Sequence, residues 1–75
     1  MKKINLGQKD LIHFVGIGGI GMSGLAHIMK NMGFRIQGSD LSKNKNTISC
    51  SKSGIKIFIG HSHHNIKKVT ILVKS

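Results

Sequence analysis

The chain has 75 residues, enough for one small domain and no second one. Its single cysteine, Cys50, excludes an internal disulfide and fits a reducing compartment. Twelve Lys and Arg against two acidic residues give a formal charge of +10, yet Tyr and Trp are absent. The lysines are scattered without a long run, so no motif for specific nucleic-acid recognition stands out, although a basic surface steers phosphate-bearing ligands toward the domain.

Residues 1–10 read as a basic N-terminal arm. Their apolar stretch is broken by Gly7-Gln8-Lys9-Asp10, which argues against a signal peptide, and no later segment approaches the length of a membrane span. A cytoplasmic domain over residues 11–75, with no membrane partner, is the expectation.

Leu11-Ile12-His13-Phe14-Val15 is a nearly continuous apolar run of the kind found in buried parallel strands. His13 is expected to be packed and hydrogen-bonded. Val15-Gly16-Ile17-Gly18-Gly19-Ile20-Gly21 follows, with Gly16, Gly18 and Gly21 at G-x-G-x-x-G spacing between that strand and a helical pattern. A turn of this kind brings backbone N–H groups at a helix start close to a phosphate. Met22, Leu25, Ala26, Met29 and Met32 then fall on one apolar stripe, which predicts a helix over 21–32 with Ser23 and His27 on its far side and Gly33 as the C-terminal cap.

Residues 34–38 alternate apolar and polar, as a second strand does, and Asp40 follows at its end. Asp40 lies 19 residues beyond Gly21, where a nucleotide-binding α/β unit places an acid to accept hydrogen bonds from a ribose. Asn46 or Thr47 is expected to cap a short helix over 48–53, ended by Gly54. Cys50 within it reads as a small buried hydrophobe without an activating neighbour. Residues 55–59 and 69–73 are the third and fourth strands, and the connection 60–68 has room for a single helical turn. His61, His63 and His64 fall in that connection without the Cys or carboxylate neighbours of a metal site, and no metal is expected. His61 directly follows the third strand, at the rim where α/β sheets bind ligands.

Strand–helix–strand–helix–strand–loop–strand reads as an α/β domain with a parallel sheet of about four strands in the order 3-2-1-4. Two helices cannot cover both faces of such a sheet, so exposed apolar surface is expected. One phosphate-binding helix start, one acid and one rim loop suit a single nucleotide diphosphate better than a dinucleotide.

Residues 13–24, together with Gly38-Ser39-Asp40-Leu41 and Gly60-His61-Ser62 followed by Asn65-Ile66, resemble in order the N-terminal blocks of the Mur ligase family. The resemblance covers about residues 11–75 and implies a Rossmann-like domain that binds UDP-N-acetylmuramate. It implies that Gly16, Ile17, Gly18, Gly19, Ile20, Gly21, Met22 and Ser23 hold the diphosphate. It further implies Asp40 at the ribose, Leu41 and His61 beside the uracil, and Ser39 among the UDP-binding residues. Within the family the blocks match the branch that joins L-alanine to UDP-N-acetylmuramate in peptidoglycan synthesis, using ATP and Mg2+ bound by a central domain, with a third domain completing the active site. Neither of those domains, nor a G-x-x-x-x-G-K-[ST] loop, occurs in these residues, so no catalytic residue is expected and the chain alone is predicted inactive. An NAD-binding half-domain of an oxidoreductase, and the related ligase that adds a peptide to the same substrate, remain as alternatives.

Overall fold

The computed structural model describes residues 9–60 and 63–74. The apolar run at the start of the domain forms β1 (Leu11–Val15), which pairs in parallel on both sides. Its neighbours are β2 (Arg35–Asp40) and β4 (Ile71–Lys74), and β2 pairs in turn with β3 (Lys56–Ile59). The order is β3-β2-β1-β4, as the element sequence predicted. The helices α1 (Ile20–Asn31) and α2 (Lys45–Lys52) form the first two crossovers. A single 3-10 turn, His63–Ile66, lies in the connection from β3 to β4.

Strand alternation sorts the side chains into two unlike faces. Ile12, Phe14 and Ile36 lie on the face toward the helices, where with Ile17, Ala26, Cys50 and Ile55 they form the buried core. The opposite face carries His13, Gln37 and Ser39, paired through the registers His13↔Gln37 and Val15↔Ser39. All three are buried polar residues, so this face is not a second apolar layer.

Several boundaries differ from those predicted. β2 continues through Ser39 to Asp40 because it pairs with β1 on one side and β3 on the other, with Asp40 opposite Ile59. β4 begins two residues later than expected, after Thr70 N–H donates to Leu11 O at 3.0 Å. α2 begins at Lys45, capped by Asn44 rather than by Asn46 or Thr47. The Asn44 side chain accepts from Thr47 N–H while the Thr47 hydroxyl accepts from Asn44 N–H, both at 2.9 Å, a reciprocal capping box.

The inward face of α1 is also rotated from the predicted stripe. Met22, Ser23, Ala26 and Met29 face the core, whereas Leu25 and Met32 are 43% and 67% exposed. Ser23 and Ala26 are the buried positions of this face, and Met22 and Met29 flank them against the core. Ser23 can be buried because its hydroxyl donates to Ile20 O at 3.1 Å within the same turn. The apolar surface left over is real: Ile20, Leu25, Ile28 and Met32 on α1 are exposed, as is Leu72 on β4.

Candidate functional site

The glycine turn is held from below by one carbonyl. Ser39 O accepts from both Gly16 N–H (2.8 Å) and Ile17 N–H (3.0 Å), so the end of β2 fixes the chain as it leaves β1. Gly16 has φ +80°, in the left-handed region, where a side chain costs about 1–2 kcal/mol. Ile17 turns inward and is fully buried in the core. Gly18 N–H donates to Asp40 Oδ2 at 2.8 Å, and Gly19 N–H donates to Gly16 O at 3.0 Å.

The N–H groups of Gly16 through Gly19 are therefore already spent inside the protein. What the turn offers a ligand is the start of α1. Gly19 is its N-cap without a side-chain cap bond, and its first turn carries no acidic residue. The first N–H groups of any α-helix, here from Ile20, Gly21 and Met22, lack partners within the helix and carry the positive end of its dipole. Gly19, Ile20 and Gly21 are exposed, so an anion can reach them.

Asp40, half-buried, stands beside this helix start. Its Oδ1 accepts from Leu41 N–H at 2.8 Å, and its Oδ2 is the partner of Gly18. A carboxylate oxygen accepts more than one hydrogen bond, so both keep capacity for ribose hydroxyls. Leu41, 73% exposed, extends from the same rim. Ser39 is 2% exposed, with its hydroxyl 3.0 Å from His13 Nε2. The Ser23 hydroxyl is spent on Ile20 O. His61 lies outside the described residues.

Two residues at this site escaped the sequence reading. Asn44 Nδ2 and Asn46 Nδ2 both donate to Gly18 O, at 3.2 and 2.8 Å, so the start of α2 grips the glycine turn. The Asn44-x-x-Thr47 spacing is a legible capping signal, but its reach to Gly18 is a tertiary fact. A Cβ on Gly18 would stand 2.7 Å from Asn44 Nδ2 and from Asp40 Oδ2. Gly18 is thus required by the neighbouring elements, whatever ligand approaches.

Cys50 is fully buried, as expected, but it does have a neighbour: His27 Nε2 lies 3.6 Å from its sulfur and 3.3 Å from Ser49 Oγ. The rotation of α1 brings His27 to the interface with α2. Burial pushes the thiol pKa upward, away from an activated thiolate. Among the described residues no group of three or more His, Cys, Asp or Glu could hold a metal ion. A hollow of about 470 Å³ lined by residues including Lys43, Thr47, Ile48 and Ile59 lies between α2 and β3.

Comparison with known proteins gives this geometry a lineage. Residues 11–75 match the family model described as Mur ligase family, catalytic domain. The chain is 60% identical over 73 residues to the UDP-N-acetylmuramate–L-alanine ligase of Pelagibacter ubique, covering 97% of this chain and 16% of that protein. It is 54% identical over 75 residues to the enzyme of the same name from Rickettsia bellii, covering all of this chain and again 16% of the relative. Among solved structures, the UDP-N-acetylmuramate-alanine ligase MurC of Thermotoga maritima matches with a TM-score of 0.80 at 41% identity, over 84% of this chain and 15% of that one. The chain spans roughly one-sixth of the length of these relatives. The family match runs from β1 to residue 75, and relatives 54–60% identical cover 97% or more of the chain: it belongs to the Mur ligase family.

Proposed function

We propose that this chain is the substrate-binding portion of an ATP-dependent ligase that joins L-alanine to UDP-N-acetylmuramate in peptidoglycan synthesis, and that it holds the UDP moiety. The observation that carries the proposal is the Asp40 carboxylate beside the exposed, uncapped start of α1. Together they supply a diphosphate seat and a ribose acceptor within one nucleotide's length. The diphosphate sits on the Ile20, Gly21 and Met22 N–H groups, with the helix dipole contributing on the order of 1 kcal/mol. Asp40 accepts the ribose hydroxyls, and Leu41 and His61 flank the uracil.

The chain carries no G-x-x-x-x-G-K-[ST] sequence, so ATP and Mg2+ belong to other parts of such a ligase. There, ATP would supply the phosphoryl group that activates the muramoyl carboxylate with release of ADP, and attack by the amino group of L-alanine would release phosphate. The role proposed for these residues is to bind and orient one end of the substrate, in a cytoplasmic enzyme whose partners are its own remaining domains.

Calorimetry with UDP-N-acetylmuramate, NADH and a short DNA duplex tests this assignment. UDP-N-acetylmuramate is expected to bind most tightly, and Asp40→Ala is expected to weaken it by about 1–3 kcal/mol. Equal or tighter binding of NADH would favour the oxidoreductase alternative and overturn the assignment.

A further inference from the structure

The polar face of the sheet contains a series of hydrogen-bond contacts that the proposed nucleotide seat does not use. Gln37 Nε2 donates to Asn65 O at 2.7 Å, and the same nitrogen lies 2.7 Å from His13 Nδ1. Asn65 O accepts only, so the amide nitrogen of Gln37 must face it, and that nitrogen's second hydrogen points to Nδ1. Nδ1 is therefore the acceptor, and the ring's one proton lies on Nε2, 3.0 Å from Ser39 Oγ. The hydrogen bonds thus require His13 to be neutral and in the Nε2–H tautomer. All three side chains are more than nine-tenths buried, with His13 at 1%, Gln37 at 7% and Ser39 at 2% exposure.

Each end of this series reaches the strand ends that carry the candidate site. Ser39 O holds Gly16 and Ile17. Asn65 Nδ2 donates to Gly60 O at 3.3 Å, and Gly60 N–H donates to Asp40 O at 2.7 Å. We propose that His13 and Gln37 are positioning residues for the nucleotide site. A neutral His13 orients Gln37 so that its amide ties the 3-10 turn to the β1 and β2 ends bearing the glycine turn and Asp40. The proposal rests on the UDP-binding assignment above.

The charged groups described on the His13 face are basic. β2 contributes Arg35, β3 contributes Lys56 and β4 contributes Lys74, while His64, Lys67 and Lys68 of the connection to β4 line a hollow with Gln37 and Asn65. From β3 the Phe58 ring stacks on His13 at 6.4 Å, with Lys56 Nζ 5.2 Å from the Phe58 centroid. The chain has only two acids. Asp40 alternates to the opposite face toward Gly18, and Asp10 accepts from Thr70 Oγ1 at 3.0 Å. An added proton on Nδ1 would face the Gln37 amide hydrogens, and the tie to Asn65 would be lost.

Binding of UDP-N-acetylmuramate, whose esterified diphosphate keeps its charge throughout, is to be measured from about pH 8 to about pH 5, across the ordinary histidine range. Affinity is expected to fall about fivefold for loss of the tie. Gln37→Leu is expected to bind at that reduced level throughout, and His13→Gln to bind with a flattened pH profile. A long-range 1H–15N spectrum of the unaltered chain is expected to show the Nε2–H tautomer at about pH 8, and the Asn65 and Gly60 amides are expected to shift as the ring takes up a proton. A chain that binds no UDP-N-acetylmuramate at any pH overturns the functional assignment and the binding role with it. In a chain that does bind, an Nδ1–H tautomer, or Gln37→Leu binding like the unaltered chain at both ends of the range, overturns the positioning role alone.

Discussion

Glycines that look equivalent in the motif do different work in the molecule. Gly16 permits the left-handed turn after β1, and Gly18 makes room for Asn44 and Asp40. Gly21 does neither, since a Cβ there meets nothing within 4 Å. Its replacement therefore separates folding from binding. Gly21→Ala is expected to stabilise the free chain by about 0.5–1 kcal/mol, because alanine loses less backbone entropy in a helix. The same methyl group stands on the exposed first turn of α1, so UDP affinity is expected to fall. Thermal melts with and without ligand check both signs. Gly18→Ala is expected to lower the melting temperature even without ligand, by forcing its Cβ against Asn44 and Asp40.

The two helices show how far element-level reasoning carries. Spacing located both, and the apolar run of β1 and the alternation of β2 were plain, but the face that α1 buries was not. Ser23 is polar in sequence and buried in the fold, because its hydroxyl is satisfied by Ile20 O. Leu25 has the reverse history. Asn44 was hidden in a polar connection although it both caps α2 and holds Gly18 O. Asn44→Ala is expected to cost about 1 kcal/mol for the cap, measured by chemical denaturation. Cys50, on the buried side of α2, gives a pH test of the same packing. Its thiol pKa is raised by burial, so folding favours the protonated form. That contribution is present below the ordinary thiol value and is lost as pH rises through the raised value. Stability of the unaltered chain is expected to decline over this alkaline window, and Cys50→Ala is expected to remove that part of the decline.

At the scale of the whole molecule, the parallel order 3-2-1-4 was legible from element sequence and crossover handedness, and the glycine turn and Asp40 from their spacing. A packed, hydrogen-bonded His13 was legible too, but its partners Gln37 and Ser39 stayed hidden, as did the N–H groups of Gly16 to Gly19 already engaged internally. That internal engagement narrows the candidate site. Of the eight loop residues that the resemblance assigns to the diphosphate, three at the start of α1 are proposed as its seat through their N–H groups, with the Asp40 carboxylate on β2 beside them. Mapping backbone amide shifts while UDP-N-acetylmuramate is titrated into the chain tests that claim most directly. The largest shifts are expected at Ile20, Gly21 and Met22, with Asp40 and Leu41 moving in step. Shifts centred on the hollow between α2 and β3, with the start of α1 unmoved, would contradict it.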